Sequence, residues 1–358
     1  MEYVNINSLQ DAVTSIAGED AQALISRYAA DTHPGTVLAT DELELLAGRE
    51  IVQQARKNGK TLVPLRRVGL TRDVQGFPKR ILLELTSDCN SFCFMCPRHV
   101  LKREWRHMET PLALKVIKEL GENGLSGLWL YHIGESLLHP DFFKILGVCR
   151  QYLKLGTLWL STNGEIMNDE NRRKIIQEPV DILNYSVNAM TEESYKKITP
   201  KLHFDVVQGN LRALIALKKK LGRRKPLVRA QMMDIPFVKG EVEMLIEEFG
   251  QGIDILSVNK LELFSQNVTG LSDTRAQAVN AAIPKCNRLE RQDFFIVSDG
   301  TVTCCDTDFN TEINIGNVNR NTVREIFNGE AYQGLMAGYR AGRLHEKSPC
   351  RTCTDFNL

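Results

Sequence analysis

Glu84-Leu-Thr-Ser-Asp-Cys89-Asn-Ser-Phe-Cys93-Phe-Met-Cys96-Pro97 places three thiols at Cys-x3-Cys-x2-Cys directly after the apolar stretch Ile81 to Leu85. Iron-sulfur clusters are held by thiolates, and three cysteines in one short loop can ligate three irons of a 4Fe-4S cube. The fourth iron is then left open to hold a substrate or cofactor. Structural zinc is the alternative, yet it takes four ligands, and the nearest usable fourth donor, His99, stands only three residues past Cys96. Disulfides suit the chain less. The opening Met-Glu-Tyr-Val-Asn-Ile-Asn lacks the basic region and apolar core of a secretory signal, so the nine cysteines are expected in a reducing cytoplasm.

The spacing and its place after a strand resemble the radical S-adenosylmethionine superfamily. The resemblance implies that the open iron chelates the amino and carboxylate groups of the methionine moiety of S-adenosylmethionine. It also implies that reduction yields a 5'-deoxyadenosyl radical, the cofactor carrying the hard chemistry while the protein orients it.

At 358 residues, with 43% hydrophobic and 25% charged residues, the chain reads as one large or two modest globular domains. No apolar segment approaches the roughly 20 residues of a membrane span, and a formal net charge of +1 leaves no electrostatic footprint for nucleic acid. Neither a membrane nor a nucleic acid is expected as a partner. The basic run from Lys218 to Lys225 reads as a solvated helix end.

Residues 1–78 read as a mostly helical cap, with apolar spacing of three and four over Leu9 to Ala17, Asp20 to Ala30 and Thr40 to Asn58. The segment lacks the leading strand hairpin expected of a module that binds a peptide leader. From Arg80 onward, β-rich runs alternate with helical ones. The strands are expected at Ile81 to Leu85, Gly127 to Ile133, Thr157 to Ser161, Ile182 to Val187, Leu227 to Met233 and Ile255 to Leu263. Helical patterns fill the gaps at Pro111 to Leu120, Asp141 to Leu153, Glu170 to Gln177, Phe204 to Leu221 and Gly240 to Phe249. This alternation predicts an α/β fold, a partial (β/α)6 TIM-like barrel over residues 79–265, followed by a separate domain over 266–358.

In β/α barrels the chemistry lies on loops at the carboxyl ends of the strands, and the polar motifs fall there. His132-Ile-Gly134-Glu135-Ser136 resembles the superfamily's Gly-Gly-Glu-Pro element, with Ile133 and Ser136 in place of the first glycine and the proline. The resemblance sets Glu135 against the ammonium of S-adenosylmethionine and Gly134 close to it through the backbone. It likewise implies ribose and carboxylate contacts from Ser161, Asn163, Ser186, Asn188 and Lys197, with Gln231 as an addition from the fifth strand. Met95 corresponds to an apolar position that packs on adenine, and His132 is a candidate proton shuttle.

Five further thiols gather near the C-terminus. Cys286-x13-Gly300-x4-Cys305, followed by Cys350-x2-Cys353, resembles the twitch domain, the short form of the SPASM extension. The resemblance implies one auxiliary 4Fe-4S cluster on a β-hairpin, here Asp293 to Cys304 around Ser298-Asp-Gly300, and a helix at Asn321 to Asn328. Four thiolates satisfy zinc equally well, so zinc stays open at this site. Neighbouring side chains in a strand point to opposite faces, so one of Cys304 and Cys305 is the ligand, and the spacing selects Cys305.

The chain is therefore expected to be a radical S-adenosylmethionine enzyme, an oxidoreductase or epimerase acting on a sugar, aminocyclitol or nucleoside. Dehydrogenation needs an acceptor for the remaining electron. Epimerisation needs a thiol that returns a hydrogen atom, and Cys304 is the candidate. A flavodoxin- or ferredoxin-type reductant is the implied protein partner. The alternatives are a maturase of ribosomal peptides and a non-catalytic iron-sulfur or zinc interaction protein.

Overall fold

A computed structural model describes residues 2–5, 62–64, 76–78, 80–260 and 286–353, apart from 126, 154–156, 179 and 224. The helices expected at Leu9 to Ala17, Asp20 to Ala30 and Thr40 to Asn58 lie outside the described residues, as does the end of the strand expected to reach Leu263. The chain forms two compact units, residues 1–70 with 159–261 and residues 71–158 with 262–358.

The second of these units is organised on β3 (Arg80–Leu83). β3 pairs in parallel with β4 (Gly127–Leu130) on one side, Ile81 opposite Leu128, and with β9 (Asp293–Ile296) on the other, Ile81 opposite Phe294. β9 turns antiparallel into β10 (Thr301–Thr303), which pairs with β11 (Gly316–Asn317). Every residue of β4 and β9 is buried. Strands covered on both faces read as continuous apolar runs rather than alternating ones. Two helices, α1 (Thr110–Glu122) and α2 (Phe142–Tyr152), bury one apolar stripe each, including Ile117 and Leu120 on α1 and Ile145, Leu146 and Cys149 on α2. Cys149 is thus a packed thiol.

The other unit carries β5 (Thr157–Thr162), β6 (Ile182–Ser186), β7 (Leu227–Asp234) and β8 (Ile255–Lys260), joined in parallel in that order. Helices α3 (Asp169–Gln177), α4 (Glu192–Ile198), α5 (Phe204–Lys220) and α6 (Glu241–Phe249) fill the crossovers. Side chains of Asn168 and Thr191 accept hydrogen bonds from the first turns of α3 and α4, which sets where those helices begin.

Two features were not suggested by the sequence. The N-terminal segment is not helical throughout: β1 (Glu2–Asn5) pairs antiparallel with β8 and with β2 (Leu62–Pro64). Strand pairs formed across so long a stretch leave no local signature. The compact units also cut across the expected boundary near 265, because β3 and β4 share a sheet with the C-terminal strands. The α/β class, with strands β3 to β8 parallel wherever they pair with one another, is the one expected.

Candidate active site

The cysteine loop leaves the end of β3 and is held in place by backbone. Met108 N–H donates to Leu85 O at 2.8 Å and Ser87 N–H to Arg106 O at 3.0 Å, so the returning chain closes the loop at its base. Within it, Cys96 N–H donates to Cys93 O at 3.0 Å, and Ser91 lies 3.2 Å from Cys93 through its hydroxyl. Met95 is half-buried, as are the three cysteines. Burial pushes the Cys89 and Cys93 thiols up to about 12 and that of Cys96 up to about 11, with the charges of Glu135 on Cys89 and of the neighbouring thiols adding to the effect. Three crowded, desolvated sulfurs beside a carboxylate are poor company as thiolates unless a cation joins them. Iron supplies that charge, since a coordinating thiol is deprotonated outright. The donor set therefore fits a cluster.

The loop after β4 packs directly on this one. Glu135 N–H donates to Asp88 O at 2.8 Å. A Cβ on Gly134 would stand 2.1 Å from Thr86 O and 2.6 Å from Asp88 O, so only glycine lets the two backbones approach. Glu135 is buried, its side chain accepting from Leu137 N–H, and the Ser136 hydroxyl donates to Leu130 O at 2.6 Å. The motifs at Cys89 to Cys96 and at Gly134-Glu135 are thus brought together as the sequence suggested.

His132 is held elsewhere. Its Nδ1 lies 3.0 Å from Glu84 Oε2 and its Nε2 3.0 Å from Asp306 O. Both ring nitrogens thus face oxygen atoms of the protein. Its side chain is 6% exposed. The candidate proton shuttle therefore sits in a buried network with Glu84 and the Asp306 backbone. Glu84, 1% exposed, also accepts from Arg103 Nη1 at 2.6 Å and from Ser298 N–H at 3.1 Å. Burial alone would raise its carboxyl, but hydrogen bonds and charges from His132 and Arg103 outweigh that and hold it below the usual carboxylate range. Sequence reading missed Glu84, whose partners lie as far away as Ser298.

In the unit carrying β5 to β8, the strand-end residues form their own set. Asn184 Nδ2 donates to Ser161 Oγ at 2.9 Å. Val187 and Asn188 N–H donate to Gln231 O at 2.9 and 3.3 Å, and Asn188 adopts a left-handed φ of 62°. Such a backbone is uncommon outside glycine and is tolerated best by asparagine and aspartate. Ser186 and Asn163 are half-buried at the ends of β6 and β5. Lys197 does not join them. Its side chain is 53% exposed and pairs with Glu193 at 2.7 Å along α4, the arrangement of a solvated helix charge. Arg229, on β7, is buried and donates to Gln231 Oε1 at 2.9 Å and Ser257 Oγ at 2.7 Å.

The C-terminal thiols line one cavity. Cys286, Cys304, Cys305, Cys350 and Cys353 share it with apolar walls. After α7 (Asn287–Glu290), β9 and β10 supply the hairpin, with Gly300 at φ 86° in its turn. The helix expected at 321–328 is α8 (Val323–Asn328), opened by Thr322 and Glu325 in a capping box. A further helix, α9 (Glu330–Arg340), places the Tyr339 hydroxyl 3.1 Å from Cys286 N–H. Burial raises the Cys304 and Cys305 thiols well above the ordinary range; the Cys305 sulfur lies 3.1 Å from the Thr307 hydroxyl. Cys304 is 2% exposed and enclosed with these thiols. Here too the donor set suits a cluster.

Two family models match the chain. The radical SAM superfamily model covers residues 83–228, and an iron-sulfur cluster-binding domain model, SPASM, covers residues 286–354. The second match decides the zinc question left open at the C-terminal cysteines. Among curated proteins, the tungsten-containing aldehyde ferredoxin oxidoreductase cofactor-modifying protein of Pyrococcus furiosus is 26% identical over 43% of this chain and 43% of its own length. The chain thus spans under half of that relative. The S-adenosyl-L-methionine-dependent 2-deoxy-scyllo-inosamine dehydrogenase of Niallia circulans is 19% identical over 78% of this chain and 93% of its own length. Streptococcus suis SuiB, solved with its precursor peptide SuiA, shares the fold with a TM-score of 0.60, at 12% identity over 90% of this chain and 80% of that one. With a three-cysteine loop inside the first match and a C-terminal thiol cavity inside the second, the chain carries a radical SAM domain followed by a SPASM iron-sulfur cluster-binding domain.

Proposed function

We propose that this protein is a radical S-adenosylmethionine oxidoreductase that removes hydrogen from an unactivated C–H of a small polar substrate, a sugar, aminocyclitol or nucleoside, and releases a dehydrogenated product. When bound and reduced, the cluster and S-adenosylmethionine supply the 5'-deoxyadenosyl radical that takes the hydrogen atom. Cys89, Cys93 and Cys96 hold the first cluster in this reading, and Cys286, Cys305, Cys350 and Cys353 the auxiliary one. Gly134, Glu135, Ser161, Asn163, Ser186, Asn188 and Gln231 are the cofactor contacts, with Met95 against adenine. The single observation that favours dehydrogenation over epimerisation is the enclosure of Cys304, which withdraws the one spare thiol of the C-terminal set from any substrate.

The cytoplasm and a flavodoxin- or ferredoxin-type reductant suit this reading. All nine cysteines are free, and no helix among the described residues is long and apolar enough to cross a membrane. A ribosomal peptide as substrate is the second reading, favoured by the pairing of β1 with β2, strands that the sequence did not suggest. The test is incubation of the anaerobically reconstituted, reduced protein with deuterated aminocyclitols, sugars, nucleosides and candidate peptides. Transfer of deuterium into 5'-deoxyadenosine and formation of a carbonyl product from a small polyol support the main reading. Label arriving only from a peptide, or product epimerised with a solvent-derived hydrogen, overturns it.

A further inference from the structure

Arg98 lies two residues past Cys96 on the short 3-10 turn Pro97–Val100 and is 4% exposed. Its guanidinium spans the segment on both sides of Cys89. Nε donates to Ser87 O at 3.1 Å, Nη1 to Ser91 O at 3.5 Å and Nη2 to Asp88 Oδ1 at 2.8 Å, the same oxygen that accepts from Cys89 N–H at 2.8 Å. Its two aromatic neighbours come from either end of the loop: the Trp105 ring centroid is 3.8 Å from Cζ and that of Phe92 is 4.9 Å away.

A packed apolar side chain could fill this volume without the cost of burying a charge. The cation therefore calls for another reason. Its charge acts on Cys89 and Cys96, two of the sulfurs destined to be thiolates, and it pairs with the Asp88 carboxylate, while the charge of Glu135 presses on Cys89. We propose that Arg98 is a positioning residue for the S-adenosylmethionine-binding cluster: its fork fixes the backbone before and after Cys89, and its charge offsets the ligands, making the reduced cluster easier to reach. Lysine cannot replace it fully, because a point charge lacks the planar fork and stacks less well on aromatic rings. This inference rests on the assignment of Cys89, Cys93 and Cys96 to that cluster.

The test uses the full chain, reconstituted anaerobically, as wild type, Arg98→Met and Arg98→Lys, with far-UV circular dichroism to follow the fold. Arg98→Met is expected to keep the auxiliary cluster and to bind the first cluster at least about tenfold more weakly, the usual scale for residues that orient ligands. Its first-cluster midpoint potential is expected to move negative, since a nearby positive charge has gone, and the change in its electron paramagnetic resonance spectrum on adding S-adenosylmethionine is expected to shrink. Arg98→Lys is expected to restore the potential but not the cluster affinity. A first cluster with wild-type potential and spectrum in Arg98→Met overturns the proposal, and so does loss of the whole fold in both variants, which would mark Arg98 as a stability residue. Loss of the first cluster alone in a folded variant supports it. If the wild-type iron content is unchanged by replacing Cys89, Cys93 and Cys96 with alanine, the cluster assignment itself fails, an outcome distinct from the others.

Discussion

Glu84 shows how much a single buried carboxylate can organise. It directly follows β3, lies beside Arg103 and His132, and takes the Ser298 N–H from the turn after β9. Truncation to alanine leaves the buried Arg103 guanidinium and the His132 ring without their acceptor, a change that costs about 3–5 kcal/mol for buried pairs. Urea unfolding of Glu84→Ala against wild type measures it. The pH dependence has a definite sign. The folded-state carboxyl is held below its ordinary range, so its contribution is present above that range and is lost as pH falls toward the folded value. The stability gap between wild type and variant is therefore expected to narrow in acid. Gly134→Ala tests the loop contact: an added Cβ meets backbone oxygens of Thr86 and Asp88, which have no side-chain freedom to yield. A loss of about 1–3 kcal/mol is expected on overpacking grounds, read as a lower unfolding midpoint together with weaker S-adenosylmethionine binding.

At the level of elements, the C-terminal domain depends on one turn and one cap. Gly300 sits at φ 86°, and a Cβ there would come 2.4 Å from Asn319 Nδ2 and 3.0 Å from Asn317 Oδ1. Gly300→Ala is expected to cost about 1–3 kcal/mol through backbone strain and to lower auxiliary iron occupancy, assayed by iron content after gel filtration. Thr322→Ala removes the side-chain half of the α8 capping box and is expected to cost about 1 kcal/mol, measured by chemical denaturation. Much of this was legible in the chain. The thiols at 89, 93 and 96, the Ser298-Asp-Gly300 turn and all six barrel strands carry local signals of spacing, turn chemistry and apolar runs. Glu84, Arg98 and the β1–β2 pair were not, since their partners are set by tertiary approach. The partners of Lys197 and His132 were hidden for the same reason: composition places a charge or an imidazole near a strand end, but only the fold shows Glu193 beside one and Glu84 with the Asp306 backbone beside the other.

For the molecule as a whole, two cysteine sets imply two separable clusters. About eight irons per chain are expected for two cubes and about four for one. Replacing Cys286 and Cys350 with alanine is expected to remove about four irons while S-adenosylmethionine cleavage continues. The most direct measurement is made on the first cluster. Reduced, reconstituted protein is mixed with S-adenosylmethionine, its electron paramagnetic resonance spectrum is recorded, and 5'-deoxyadenosine is quantified, beside a variant with Cys89, Cys93 and Cys96 all replaced by alanine. The expected result is a spectrum altered by S-adenosylmethionine and release of 5'-deoxyadenosine from the wild type, with both lost in the variant. A spectrum indifferent to S-adenosylmethionine and no 5'-deoxyadenosine from the wild type, or cleavage that survives in the variant, would contradict the account.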